Sequence, residues 1–282
     1  MKSRQIIGIS LVSALFFLNV IGWRLSYAAD LTPPPTNTCL QEQLVLLENR
    51  LISNHFEVDR TIRDFRDTIG ESFTAALDSL GPEDVWFDFG SGRGYSAARF
   101  LQDIALRRPS QIPTAIGIVH TKASNAAIDD AGLKYLVKLG KFKEWAGRYV
   151  EDIPLGEFPK MSLGTDYYGP LSYTHRMSDL LRKYFEIMTP HKSTLFVVMF
   201  EPGVQTEIVT KNGTMTFSKW LETIPGISVR VRKSPTHFGE QIIQITKLSN
   251  TIHIPELELI DLMDGAPPVR IFKVITPKSP AQ

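Results

Sequence analysis

Cysteine is almost missing from this 282-residue chain: Cys39 is the only one, so no intramolecular disulfide can form in any compartment. Net charge is nearly as scarce. Lys and Arg number 31 against 30 Asp and Glu, leaving +1, which removes the broad basic field that nucleic acid or an anionic membrane surface requires of a general partner. The six histidines are scattered without ligand spacing and there is no Cys/His cluster, so no metal is expected. Internal repeats are absent. The single low-complexity tract is LTPPPTNT at 31–38, read as a stiff proline linker. No methionine falls between Met1 and Met161, so an internal start would not yield a complete domain.

Charge is also missing, locally, from the run Ile6 to Trp23. Lys2 and Arg4 precede that run, and Ser26-Tyr27-Ala28 follows it as a small-x-small site, the form of a secretory signal cleaved after Ala28. The same run has the length of a bilayer span, so an uncleaved anchor through residues 6–23 is the alternative. Both readings carry the residues from about 30 onward across the membrane, periplasmic or secreted in the first case and membrane-anchored outside the cytoplasm in the second. Cys39 lies well beyond the run, with no lipobox at its end.

What remains is ordinary globular composition, 43% hydrophobic and 22% charged, long enough for one large core. The periodicity predicts helices over 40–52 and 58–80. From residue 85 strand-like and helical stretches alternate. VWFDF (85–89), AIGIV (115–119) and STLFVVMF (193–200) read as buried strands; GRYV (147–150) and KMSLG (160–164) are weaker ones. Helices are expected over 97–105, 126–139, 177–188 and 217–224, and ISVRVRK (227–233) and EQIIQITK (240–247) close the pattern as two strands. Such alternation specifies an α/β fold, a Rossmann-like doubly wound sheet, mostly parallel with an antiparallel last strand and helices on both faces. The boundaries follow: a leader at 1–28, the linker at 29–38, a domain at 39–250, and an extension at 251–282 that the pattern leaves unassigned.

The densest chemistry is VWFDFGSGRGYSAARFL, residues 85–101. Asp88 stands at the end of the first strand, and Gly90, Gly92 and Gly94 alternate in the turn that leads into a helix. Glycines admit positive φ and a close backbone approach, and the helix that follows aims free N–H groups into the turn. No Lys-Ser or Lys-Thr follows, so the turn is not a P-loop. A dinucleotide fingerprint read from Gly92 needs Ala97 as its third glycine and leaves Asp88 and Gly90 unexplained.

The pattern D-x-G-x-G-x-G after an apolar strand resembles the first motif of class I S-adenosylmethionine-dependent methyltransferases. The resemblance runs over roughly residues 56 to 247. RYVEDIP (148–154) looks like the family's acidic segment after the third strand, LGTDYYGPLSYT (163–174) like its fourth strand and loop, and LLRKYFEIMTPHKSTLFVV (180–198) like its helix, turn and fifth strand. It departs at the end of the second strand, where the family's ribose-binding acid is replaced by His120 and Lys122. The resemblance implies S-adenosyl-L-methionine as cofactor. Asp88, Gly90, Ser91, Gly92 and Gly94 would contact it, with His120 at the ribose and Glu151 and Asp152 beside the adenine. Asp166, Tyr167 and Tyr168 would border the methyl group, with Tyr173 and His175 near an acceptor, small molecule or protein, that the sequence does not identify. Two other readings stay open: an exported, non-catalytic binding or interaction module on the same fold, and an oxidoreductase on a nicotinamide cofactor.

Overall fold

A computed structural model describes residues 60–92, 94–119, 131–200, 206–237, 239–263 and 269–275. The leader, the linker, the helix expected at 40–52, His120 and Lys122 lie outside the described residues.

The helical stretch expected from 58 to 80 is two helices, α1 (Ile62–Ile69) and α2 (Glu71–Asp78). Thr61 opens α1 through a capping box with Asp64, and Gly70 at φ 78° breaks the run. The sheet then begins with β1 (Val85–Phe89), and α3 (Tyr95–Arg107), β2 (Thr114–Val119), α4 (Ala131–Lys138) and β3 (Phe142–Ala146) follow. Next come β4 (Leu163–Tyr167), α5 (Met177–Ile187) and β5 (Thr194–Phe200), and later β8 (Ile227–Lys233) and β9 (Glu240–Lys247). These make a seven-stranded sheet in the order β3-β2-β1-β4-β5-β9-β8. The first five strands are parallel, and β9 enters antiparallel between β5 and β8. This is the Rossmann-like, mostly parallel sheet expected of the alternating pattern.

Two strand positions are corrected. The third strand is Phe142–Ala146 rather than 147–150: it is an edge strand with only Phe142 fully buried, so it lacks the apolar run that marks a covered strand. The fourth is Leu163–Tyr167 rather than 160–164. It is buried throughout although it carries Thr165 and Asp166, because both polar side chains find partners inside.

The pleat of β1 divides the core. Val85, Phe87 and Phe89 face one layer with Leu180, Leu181, Tyr184 and Phe185 of α5, while Trp86 faces the other, among Phe65, Phe73, Phe100 and Leu101 of α1 to α3. Helices therefore cover both faces.

The extension folds. A hairpin of β6 (Thr206–Thr210) and β7 (Gly213–Thr216) follows β5 and leads into α6 (Phe217–Glu222). The C-terminal β10 (Glu256–Met263) and β11 (Val269–Ile275) join it in a second sheet, ordered β10-β11-β6-β7 with β11 parallel to β6. Ile208, Ile254, Leu257 and Phe272 pack into the α5 layer, so this sheet shares a core with the main one. Arg270 is its polar anchor. Fully buried, it donates to the carbonyls of Thr174 (2.5 Å) and Leu171 (2.6 Å) and to Thr206 Oγ1 (2.9 Å). Burial holds its guanidinium down to about 9. The last strand thus grips the loop after β4. Among the described residues no helix is long and apolar enough to cross a membrane.

Candidate functional site

In an open α/β sheet the ends of neighbouring strands part where the strand order reverses, and ligands lie there, beyond the carboxyl ends. In this sheet the reversal falls at β1, between β2 and β4. The glycine turn sits on it. Gly90, Gly92 and Gly94 all have positive φ, at 81°, 56° and 73°, a conformation that strains any branched side chain. The N–H groups of Gly90 and Ser91 both donate to Ile118 O, at 2.8 and 3.2 Å, which ties the turn to β2. Gly94 caps α3, whose first N–H groups have no partner within the helix. Ser91 Oγ lies against Gly117, buried and without a hydrogen-bond partner.

The acids at the strand ends turn inward. Asp88, 1% exposed, accepts from Thr165 Oγ1 (2.9 Å) and Ser96 Oγ (3.1 Å), so it clamps β1 to β4 and to the first turn of α3. Burial pushes it up to about 6. Asp166 accepts from Gly169 N (2.9 Å), Leu171 N (3.0 Å) and Tyr184 Oη (2.7 Å), and burial pushes it up to about 7. It folds the loop after β4 back on itself. Gly90 and Gly169 then meet backbone to backbone: a Cβ on Gly90 would lie 2.5 Å from Gly169 Cα. No ligand atom fits between those two glycines.

Glu151 and Asp152, in the short turn after β3, meet that loop as well. Thr174 Oγ1 donates to Glu151, and Arg176 pairs with Asp152 at 2.7 Å. Burial raises the Glu151 carboxyl.

Tyr167 and Tyr168 rings are 5.6 Å apart, and Tyr168 also lies 4.9 Å from Phe200. Tyr167 Oη donates to Thr68 Oγ1 (3.1 Å), which anchors α1 over β4. Tyr168, at φ 50°, donates to Glu240 Oε1 (2.8 Å); burial and that acceptor hold its phenol protonated. Tyr173 is half-buried, its hydroxyl raised by burial and opposed by Arg60 and Arg270. His175 is half-buried in the same loop. Three members of the cluster were not singled out in the sequence: Arg60, Glu240 and Arg270. Arg60 Cζ lies 4.2 Å from the Tyr167 centroid and 5.6 Å from that of Tyr168. A charged residue at the first or second position of an apolar strand, as in EQIIQITK and VRIFKVI, was the available signal for the other two. Among the described residues no cluster of His, Cys, Asp and Glu could hold a metal.

Two raised carboxyls set a pH dependence. Each binds its proton more tightly folded than unfolded, so the stability it contributes is complete below its usual range and lost as pH rises through about 6 for Asp88 and about 7 for Asp166. Urea unfolding is expected to give a stability lower by a few kcal/mol at about pH 8 than at about pH 5. A flat or rising profile would contradict the burial of these two acids.

No family model matches the chain, and no curated protein matches it. Solved structures do resemble it. An rRNA methylase from Streptococcus thermophilus is 12% identical, with 64% of this chain and 97% of that chain covered and a TM-score of 0.40. The pyocyanin biosynthetic protein PhzM is 12% identical over 84% of this chain and 68% of its own, at a TM-score of 0.42. PKMT2 from Rickettsia typhi, solved in complex with AdoHcy, is 16% identical over 45% of this chain and 24% of its own, at 0.33. At such identities and TM-scores none says what this chain binds or does.

Proposed function

We propose that the chain binds S-adenosyl-L-methionine at the end of β1 and transfers its methyl group to a small-molecule or protein acceptor. One observation carries the reading: three positive-φ glycines and the start of α3 lie together on the strand where the sheet order reverses. The residues fit a nucleoside better than a pyrophosphate. The turn lacks a phosphate-binding lysine, and its glycines do not complete the dinucleotide spacing.

The cofactor, when bound, supplies a methyl group on a positively charged sulfur. Everything else falls to the chain. Ser91 to Gly94 would cradle the nucleoside, held in shape by Asp88 and by the Ile118 carbonyl. The half-buried faces of Tyr168 and Tyr173 suit a cation, while that of Tyr167 is buried and already covered by Arg60. Methyl transfer is an in-line displacement, so holding the acceptor in line supplies most of the acceleration. Asp166 serves by fixing the loop that carries Tyr168 and Tyr173, and the protonated Tyr168 does not act as a base.

A second reading, a non-catalytic binding module, is favoured by one feature: the carboxylates of both Asp88 and Asp166 are engaged by the chain itself. Binding without turnover across a broad acceptor panel would support it. The leader belongs to the proposal too. Export by a cleaved signal means a mature chain starting at Ala29, and N-terminal sequencing that reads Met1 would reject it.

Gly92→Val is the test of the turn. Valine at φ 56° costs about 1–2 kcal/mol in backbone strain, less than the stability of an ordinary domain. The variant is expected to stay folded by circular dichroism and to lose at least about tenfold in affinity for S-adenosylhomocysteine. Unchanged affinity in the folded variant would make the turn a connector.

A further inference from the structure

We infer that the outer edge of β8 is a docking site for an extended acidic peptide segment of another protein, which adds to the main sheet as a further strand beside Arg230 and Arg232. The inference is independent of the turn after β1, which lies four strands away in the sheet.

β8 ends the seven-stranded sheet, and among the described residues no strand pairs with its outer side. The hydrogen bonds at its two ends set which residues face outward. Gly226 O accepts from Leu248 N (2.8 Å), and Ser234 N donates to Glu240 O (3.0 Å), both on the side of β9. Main-chain groups alternate sides along an antiparallel strand, so Ser228, Arg230 and Arg232 also turn toward β9. Ile227, Val229, Val231 and Lys233 therefore turn their N–H and C=O groups outward. Pairing with β9 runs from Ile227 to Lys233 without a register shift, so that outer row is regular. The devices that blunt an edge by shape, a proline, a bulge or a very short strand, are missing from ISVRVRK.

The side chains give the edge its charge. β8 carries three cations, Arg230, Arg232 and Lys233, and no acid. Ile227 and Val229 pack against the layer of α5, which puts Arg230 and Arg232 on the opposite face, that of α1 and α2. Arg232 is placed there by the break between those helices: its Nη2 would stand 3.3 Å from a Cβ on Gly70. Neither arginine makes an ion pair or hydrogen bond with a described residue. Burial lowers the Arg232 guanidinium, and no carboxylate offsets it.

Cations on an edge discourage unselected strands. They exclude a second copy of this chain first, because β8 against β8 sets like charges across from one another. The same charges favour a strand that carries acids, whose alternate side chains then fall beside Arg230 and Arg232 on one face. Val231, 40% exposed, and Lys233 stand on the other. Main-chain hydrogen bonds along the outer row supply affinity, and the arginines choose the partner.

The full chain is titrated, by fluorescence anisotropy, with a labelled, capped peptide of alternating glutamate and threonine as long as β8. Two companions carry lysine in place of glutamate, or proline in place of threonine, which keeps every acid and removes the N–H groups between them. The glutamate–threonine peptide is expected to bind about tenfold or more tighter than either. Val231→Pro removes an outward N–H and leaves the ladder to β9 whole. That variant is expected to stay folded by circular dichroism and to lose about tenfold in the same affinity. Arg230→Glu combined with Arg232→Glu should transfer the preference to the lysine peptide.

No binding of the glutamate–threonine peptide overturns the inference. Equal binding of the proline peptide does so too, since it leaves only an electrostatic patch. Unchanged affinity in either folded variant has the same force. A dimer of the parent chain in sedimentation that Val231→Pro dissolves would give the edge to a second copy, and would also overturn it.

Discussion

Asp166→Ala is expected to remove about 3–5 kcal/mol of folding stability, a large part of what an ordinary domain possesses. The carboxylate accepts three hydrogen bonds in a fully buried position, from Gly169 N, Leu171 N and Tyr184 Oη. Alanine leaves all three donors unsatisfied, at roughly 1–3 kcal/mol each. Relief from burying a carboxyl whose pKa already stands at about 7 offsets part of that loss, which is why the estimate is below the sum. Tyr184→Phe removes only one donor along with its bond, and should cost about 1 kcal/mol. Urea midpoints of the two variants against the parent chain measure both. An Asp166→Ala chain within about 1 kcal/mol of the parent would show that the loop after β4 is held by other contacts, Arg270 foremost.

Gly169→Ala has the second large effect, and for a different reason. At φ −88° the backbone suits any residue, so no strain arises from the conformation. The obstacle is space. A Cβ would enter the carbonyl oxygen of Phe89 and come within 2.8 Å of Asp166 Oδ1. Backbone cannot rotate away as a side chain can, so β1 and the β4 loop must separate, at about 3 kcal/mol or more. Because the same contact sets the position of Gly90, the variant should also lose affinity at the turn. Gly156→Ala is the control: nothing lies within 4 Å of its added Cβ, and it should change stability by less than about 0.5 kcal/mol. Equal stabilities for the two would mean that the two turns do not touch as described.

The parts of the fold that were legible are those where burial and hydropathy agree. VWFDF, ISVRVRK and EQIIQITK coincide with β1, β8 and β9, and α5 ends one residue before its expected stop. The parts that were hidden are those where polar residues are buried or apolar ones are exposed. LGTDY is a central strand whose Thr165 and Asp166 are satisfied by groups distant in sequence, Trp86 and Tyr184 among them. FKEWA is an edge strand with little to bury. In VRIFKVI, the fully buried Arg270 interrupts the alternation that would have marked a strand.

The site shows the same division. Glycine at three alternate positions was readable because backbone conformation is a local property, and all three have positive φ. The inward turn of Asp88 and Asp166 was not readable, since it depends on the hydroxyls that β4, α3 and α5 bring near and on how the loop after β4 folds back. Arg60 and Glu240 stand 180 positions apart by their numbers, and only the fold sets both against the tyrosines after β4.

The central claim is that the turn after β1 holds an adenosyl nucleoside. Calorimetric titration of the full chain with S-adenosylmethionine, S-adenosylhomocysteine and NAD tests it most directly. The account predicts saturable heat with both sulfur compounds and none with NAD, whose pyrophosphate finds no complete glycine fingerprint here. Heat with NAD and none with either sulfur compound would contradict it.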